Sequence, residues 1–223
     1  MRKSKLTLQK EKDRSEHLLL NILPEDIAEE LKEKGYVNAQ NFESAAILFT
    51  DFKSFTETAS RLSPEDLVQE LNICFKAFDI ILDQYRIEKI KTIGDAYMAA
   101  GGVPRADANA VKNTILTALD MQDFMMRRKA QNMATSRPSF DMRVGIHVGP
   151  IVAGIVGVKK FQYDIWGDTV NTASRMESNG EIGKVNISQA TYLLVQNESD
   201  LTFDFRGRIQ AKGKGEVEMY FVA

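Results

Sequence analysis

Two aspartates lie at predicted junctions between a strand and a turn. Asp51 follows the apolar run SAAILFT (44–50), and Asp95 belongs to the Gly-Asp pair of KTIGDAYMAAGG (91–102). Two carboxylates that lie close together repel each other unless a cation sits between them, and Mg²⁺ prefers oxygen ligands. The pair therefore indicates a divalent-cation site. The alternative is that Asp51 caps the following loop and Asp95 serves the turn.

Two further segments carry groups that suit a phosphorylated ligand. The segment FKSFT (52–56) bends before a helix, so its backbone N–H groups could cradle phosphate oxygens. Asn171 and Arg175 stand four residues apart in DTVNTASRMES (168–178) and hence share one helical face. An amide and a guanidinium presented together suit a ribose and a charge-developing phosphoryl group, although a solvated helix face is the plainer interpretation.

The remaining basic side chains give weaker signals. Lys212 and Lys214 lie in the glycine-rich turn IQAKGKGEVE, where surface lysines usually have no specific role. His147 falls inside an apolar strand and His17 in the N-terminal segment, and both are interpreted as structural. The sequence has no Cys/His spacing typical of zinc sites and no identifiable nucleophile–base pair.

The elements that must position these residues follow a β-α-β-β-α-β order. The expected strands cover 44–50, 87–93, 96–102 and 140–149, and the expected helices cover 63–85 and 107–130. This is the ferredoxin-like arrangement, in which the first and third strands lie side by side and run antiparallel. Asp51 and Asp95 should therefore meet at one edge of the sheet. The following segments predict an α+β fold whose sheet is extended by more strands and helices.

Composition excludes several classes of protein. The chain has 223 residues, 43% of them hydrophobic, and 29 Lys+Arg balance 31 Asp+Glu to a net charge of -2, which offers no general basic surface for nucleic acid. Cys74 is the one cysteine, expected as a free thiol on the apolar face of a helix. Because no apolar run approaches the ~20 residues needed to cross a bilayer, we interpret the chain as cytoplasmic.

The first 40 residues differ from the rest. They are rich in Lys and Glu and prone to form helices, with Pro24 at an expected helix start and Gly35 at an expected stop. This segment is either a solvated helical tail or a dimerising helix that leads into the main domain. It could also connect to an upstream sensor or membrane domain.

Four segments in order resemble the signature segments of class III nucleotidyl cyclases, and specifically the homodimeric, bacterial-like adenylyl cyclases. They are FTDFKSFT, EKIKTIGDAYMAAGG, MRVGIHVGP and YDIWGDTVNTASRMES. The resemblance runs from about residue 44 to the C-terminus. It implies an N-terminal helical or coiled-coil linker at 1–40 and a catalytic domain at 41–223.

The resemblance also implies a role for each matching residue. Asp51 and Asp95, with the backbone of Phe52, would bind two divalent metal ions, Mg²⁺ or Mn²⁺. The other implied roles are phosphate contact at Phe55 and Thr56, triphosphate binding by Arg143 and Lys212, adenine recognition by Lys91 and Asp164, ribose orientation by Asn171, and stabilisation of the phosphorus centre by Arg175.

The implied reaction converts ATP to cyclic AMP and pyrophosphate by in-line attack of the ribose 3′-hydroxyl on the α-phosphate. In this family the metal-binding and base-reading residues of one site come from different subunits, which implies a homodimer with two composite sites. Phe52 and Ser54 stand where many relatives have Ile and Gly. The segment DTVNTASRMES has the residues that are typical of guanylyl cyclases. A guanylyl or dual-specificity cyclase, a silent nucleotide-binding regulator and a structural dimerisation module remain alternatives.

Overall fold

The computed structural model describes residues 2–157, 160–211 and 215–223. Over these residues the helices are α1 (Arg2–Leu20), α2 (Glu25–Lys34), α3 (Phe55–Ala59), α4 (Pro64–Tyr85), α5 (Ala110–Ala134), α6 (Asp168–Ser178) and α7 (Gln189–Val195). The strands are β1 (Gln40–Lys53), β2 (Glu88–Ile93), β3 (Ala96–Gly101), β4 (Asp141–Ile155), β5 (Tyr163–Trp166), β6 (Val185–Ser188), β7 (Phe203–Ala211) and β8 (Gly215–Val222). None of the described helices combines the length and apolar character needed to span a membrane.

The strands form one sheet in the order β2-β3-β1-β4-β6-β8-β7, and β5 pairs with β4 off this path. Strand β1 runs antiparallel to both β3 and β4. The first four strands of this order, joined through α4 and α5, are the ferredoxin-like core, so the predicted fold class is confirmed. The expected strand at 140–149 is the first part of a longer strand, β4, whose last residues pair with β5.

The two faces of the sheet bury different sets of side chains. On one face Leu48 and Phe52 of β1 pack with α4 and α5. On the other face Ile47 and Phe49 pack with side chains from α2, β5 and α6. Because side chains alternate along a strand, Asp51 lies on the face of Ile47 and Phe49. This second face, away from α4 and α5, carries the polar residues discussed below.

Local signals define several of the element ends. The Ser63 side chain accepts a hydrogen bond from the backbone N–H of Asp66 at 3.1 Å and so caps the start of α4. Gly35 ends α2 with a left-handed φ of 76°, as expected. The sequence also offers Asp168 as a possible cap of α6, and this is wrong, because Gly167 occupies the capping position and Asp168 is the first helical residue. Cys74 is fully buried in the core, and burial raises the pKa of its thiol to about 12.

Helix α2 packs directly onto the sheet domain. Leu23, Ile27 and Ala28 are at most 2% exposed and belong to the apolar cluster of the second face. Asp26 forms a two-pronged ion pair with Arg105, in the loop that follows β3. The segment between α1 and β1 therefore contributes to the packed core.

Gly145 allows α6 to approach the centre of the sheet. A Cβ added at this glycine of β4 would overlap the backbone of Met176 and Glu177. We expect Gly145→Ala to lower the free energy of unfolding by about 2–3 kcal/mol, because the overlap is with backbone that cannot rotate away. Urea unfolding measures this loss.

Gly154→Ala is the matched control on the same strand. Its added Cβ would meet Ala39 at 3.4 Å, an ordinary contact distance. A similar loss of stability in both variants would contradict the requirement for a glycine at the contact between α6 and β4.

Candidate active site

Asp51 and Asp95 lie at the same edge of the central strands, as the strand order predicts. Asp51 is near the end of β1, and Asp95 occupies the turn between β2 and β3. Burial and then the negative charge of Asp51 raise the pKa of Asp95, while hydrogen bonds from the backbone of Asp95 and Phe52 act in the opposite direction. Each carboxylate therefore experiences the charge of the other.

This donor set fits a divalent cation that is completed by its ligand. Among the described residues no group of three or more His, Cys, Asp and Glu side chains could enclose a metal ion. Mg²⁺ usually binds one or two carboxylates together with substrate phosphates and water, instead of a cage made by protein alone. Two carboxylates that repel each other, beside the carbonyl of Phe52, match that pattern.

The backbone after Asp51 is held by aromatic stacking. The rings of Phe52 and Phe55 stack on Phe140, with centroids 4.8 and 5.3 Å away. Ser54 has a left-handed φ of 54°, a conformation that glycine adopts more readily. Phe55 and the exposed Thr56 then open the short helix α3. The bend expected at 52–56 is therefore present, and its path is set by the side chains on the opposite face.

Arg143 faces Asp51 directly across the β1–β4 pairing. Its Nη2 lies 3.3 Å from Asp51 Oδ2 and 2.9 Å from Glu177 Oε1, and its Nη1 donates to the carbonyl oxygen of Ser178 at 3.3 Å. The buried Nε of Arg143 has no hydrogen-bond partner among the described residues. The guanidinium thus joins α6 to the carboxylate edge. The four residues Asp51, Asp95, Arg143 and Glu177 are called the carboxylate cluster below.

Sequence reasoning missed Glu177. Its side chain is only 10% exposed, and burial raises its pKa to about 7, against the effect of the Arg143 charge. A signal was available, because Glu177 follows the buried Ala173 by one helical turn and so had to point inward. A carboxylate on the apolar face of a helix requires a partner, and here the partner is Arg143.

Lys91, on the same face, forms a second group with Asp164 of β5. Lys91 Nζ donates to Asp164 Oδ2 at 2.6 Å, and the two side chains are 28% and 16% exposed. Lys91 lies opposite Met98, whose side chain is buried in the apolar cluster of the second face. The backbone N–H of Ile165 donates to the other oxygen of Asp164 at 2.8 Å, which fixes the carboxylate. These two residues are called the Lys91–Asp164 pair below.

The remaining candidates are not joined to either group within one chain. Asn171 is exposed and Arg175 partly buried on α6, and neither side chain forms a hydrogen bond or ion pair with another side chain among the described residues. Lys212 lies outside the described residues, as does Lys214. The single chain therefore presents the carboxylate cluster and the Lys91–Asp164 pair on β1–β5 and α6, with the amide of Asn171 and the guanidinium of Arg175 apart from both.

Comparison with known proteins matches this arrangement to one family. The family profile described as "Adenylate and Guanylate cyclase catalytic domain" matches residues 37–223. The chain is 40% identical over 221 residues to an adenylate cyclase of Mycobacterium tuberculosis, covering 99% of this chain and 48% of the relative. It is 40% identical over 212 residues to the human guanylate cyclase soluble subunit beta-2, covering 95% of this chain and 34% of the relative. The chain thus spans about half the length of the mycobacterial relative and about a third of the length of the human one.

A solved structure agrees with the sequence relatives. The crystal structure of the adenylyl cyclase CyaB from P. aeruginosa superposes with a TM-score of 0.78 at 28% sequence identity, covering 84% of this chain and 96% of that one. The likeness therefore extends over nearly the whole of the compared domain.

Proposed function

The chain belongs to the class III nucleotidyl cyclase catalytic-domain family, and we propose that it is an adenylyl cyclase that converts ATP to 3′,5′-cyclic AMP and pyrophosphate. The observation that carries this choice of substrate is the Lys91–Asp164 pair, in which Nζ lies 2.6 Å from Oδ2 and the lysine stands on the sheet face of the carboxylate cluster. The adenylate cyclase relative supports the same choice.

The Lys91–Asp164 pair complements adenine and opposes guanine. An ammonium donates to the unprotonated N1 of adenine, while a carboxylate accepts from the 6-amino group. Guanine presents the reverse pattern, with an N–H at N1 and an oxygen at C6, so that donor would meet donor and acceptor would meet acceptor. Unpaired polar groups in a partly buried site cost binding energy, so this pair favours ATP.

The carboxylate cluster would hold the cations and the triphosphate. Class III cyclases use divalent metal ions, and in this chain Asp51, Asp95 and the carbonyl of Phe52 would hold two of them per site. When bound, such ions acidify the attacking hydroxyl and neutralise phosphate charge. Arg143 and the backbone N–H groups at Phe55 and Thr56 would orient the triphosphate, and Lys212 would add a further cation.

Asn171 and Arg175 would act from the partner subunit. Asn171 would orient the ribose so that the 3′-hydroxyl faces the α-phosphate, and Arg175 would stabilise the charge that develops at phosphorus. In this family one site draws on two subunits, and this chain carries both sets of residues. We therefore propose a homodimer with two equivalent sites, in which a lone monomer is inert.

Exposed apolar side chains beside Asp164 support such a dimer. Trp166 shares a face of β5 with Asp164 and is 40% exposed, and its register partner Val152 is 37% exposed. Trp166 is the chain's one tryptophan. A second copy of the chain that covers this pair would remove apolar area from water next to the residue that reads the base.

Replacing Trp166 should weaken the dimer. We expect Trp166→Glu to reduce dimer affinity about 100-fold or more, since buried tryptophans are frequent hot spots and a charge there would be desolvated. Sedimentation equilibrium measures the affinity, and specific activity should fall on dilution at higher concentrations than for the wild type.

Leu193→Glu provides the matched control. Leu193 is 54% exposed on α7, a helix that packs with α5 and β8 and lies away from β5. The control should dimerise normally. If Trp166→Glu dimerised as tightly as the wild type, β5 would not lie in the interface.

A guanylyl or dual-specificity cyclase is the second candidate function. It is favoured by the 40% identity to a human guanylate cyclase subunit and by the segment DTVNTASRMES, whose residues are typical of guanylyl cyclases. The residues of the Lys91–Asp164 pair argue against it, because guanylyl cyclases resemble this pattern but have glutamate and usually cysteine at these positions.

Turnover by the purified chain tests the proposal. With Mn²⁺ or Mg²⁺, ATP should give cyclic AMP and pyrophosphate in equal amounts, with a kcat/KM at least about tenfold above that for GTP. Chromatography of the products after separate incubations measures both. Better use of GTP would favour the second candidate, and binding of ATP without product would indicate a silent regulator.

A further inference from the structure

We propose that Glu177 is a positioning residue that restrains Arg143 from a two-pronged pair with Asp51 and thereby keeps part of the Asp51 carboxylate available to a cation. This inference rests on the proposed function only for the identity of the ligand. Nothing in the sequence pattern or in the family resemblance assigned Glu177 a role.

The guanidinium of Arg143 is shared unequally between two carboxylates. Nη2 lies 2.9 Å from Glu177 Oε1 in an ion pair without hydrogen-bond geometry, and it donates a hydrogen bond to Asp51 Oδ2 at 3.3 Å. A second contact, from Nη1 to the carbonyl oxygen of Ser178 at 3.3 Å, also draws Arg143 towards α6. Two of its three contacts therefore lie on the helix side.

Without Glu177 the arginine has a better partner in Asp51. Arginine prefers a planar, two-pronged contact with a carboxylate, and Asp51 stands directly opposite it on the neighbouring strand. A two-pronged pair would occupy the oxygens that a divalent cation needs. The shorter contact with Glu177 competes against this pair, so Arg143 remains beside Asp51 without covering it.

Glu177 is buried, and its backbone position is fixed by packing. The side chain is 10% exposed, against 30% for Asp51, and its backbone is fixed where α6 crosses Gly145. The backbone of Glu177 cannot move closer to β4, because it already lies against Gly145. It therefore provides a fixed anchor from which the guanidinium can turn towards a polyanion when one binds.

Mn²⁺ binding to the free chain, measured by electron paramagnetic resonance, tests the inference without turnover. Glu177→Met removes the carboxylate while keeping the volume, and it should weaken Mn²⁺ binding about tenfold, within the range for residues that support metal ligands. Glu177→Gln, which removes the charge but keeps a polar side chain of the same shape, should fall between this variant and the wild type. In turnover assays Glu177→Met should need more Mn²⁺ for half-maximal rate, with a smaller change in kcat.

Removing Arg143 distinguishes a Glu177 that acts by positioning Arg143 from a Glu177 that acts only through its own negative charge. In the Glu177→Met/Arg143→Ala double variant, Mn²⁺ affinity should return to that of Arg143→Ala alone, because no arginine is left to cover Asp51. If Glu177 acted only through its negative charge, its loss would weaken Mn²⁺ binding equally in the Arg143→Ala background, and the inference would be overturned. Unchanged Mn²⁺ affinity in Glu177→Met would overturn it as well.

Glu70→Met is the matched control for loss of a buried carboxylate. Glu70 is 9% exposed and forms a two-pronged pair with Arg128 between α4 and α5, on the other face of the sheet. This control should lose stability but bind Mn²⁺ as the wild type does.

If the chain shows the expected Mn²⁺ pattern but makes no cyclic nucleotide, the proposed function fails while the inference is supported.

Discussion

Replacing Asp95 by asparagine should lower ATP turnover about a thousandfold or more, the largest effect expected for any single change in this chain. Asp95 is one of two side-chain carboxylates in the cation-binding set, and Asp51 alone cannot hold two divalent ions against a triphosphate. The loss should appear in kcat at saturating ATP and Mn²⁺, measured as cyclic AMP formed per dimer.

The same variant should not lose stability without metal. Ionised Asp95 is held near the charge of Asp51, so a neutral amide of the same shape removes a repulsion from the folded state. Thermal unfolding should show a melting temperature equal to or above that of the wild type, and the stabilisation by Mn²⁺ should disappear.

Asp204→Asn is the control for this experiment. Asp204 is an exposed carboxylate on β7, the strand at the far edge of the sheet. It should retain full turnover and full stabilisation by Mn²⁺. If Asp95→Asn kept more than a tenth of wild-type turnover, the cation site would have to lie elsewhere.

Exchanging the Lys91–Asp164 pair should change the preferred nucleotide, which is the second large effect. In Lys91→Glu/Asp164→Cys, a carboxylate can accept from the N1–H and the amino group of guanine, and the repulsion between Asp164 and the guanine oxygen is gone. We expect the ratio of kcat/KM for ATP to that for GTP to fall about a thousandfold, since a site built for one hydrogen-bonding pattern strongly rejects the reverse one. Parallel assays with ATP and GTP measure the ratio.

The two substitutions should not act independently. Lys91→Glu alone would place a carboxylate where the ammonium now lies 2.6 Å from Asp164, and two negative charges at that distance would repel each other. The single variant should therefore use both nucleotides poorly, and Asp164→Cys should restore GTP turnover. An additive outcome would contradict a shared contact to the base.

Lys89→Gln serves as the control on the same strand. Lys89 pairs with Asp79 at 2.7 Å on the opposite face of the sheet. Its replacement should leave the preference between ATP and GTP unchanged. A shift in preference would mean that the strand, and not the base contact, sets the selectivity.

Much of the fold followed from the sequence because its causes are local. The spacing of Cys74, Phe78 and Leu82 marks one face of α4, and the cap at Ser63 marks its start. The β-α-β-β-α-β order then leaves few topologies, which is why Asp51 and Asp95 could be expected at one edge. The cap of α6 did not follow in this way, because Gly167 precedes the helix with a φ of 143°, a conformation that favours glycine over Asp168.

The sequence by itself determined the order of the elements and the shared edge of Asp51 and Asp95, because periodicity and strand order require no knowledge of distant contacts. Its resemblance to a family pointed to Lys91 and Asp164. Only the tertiary structure decided that Lys91 meets a carboxylate 73 residues away, and that Glu177 holds Arg143. Both contacts depend on how closely β5 and α6 pack onto the sheet. That closeness is set by the shape of the buried surface, including the missing side chain at Gly145, and no local pattern encodes it.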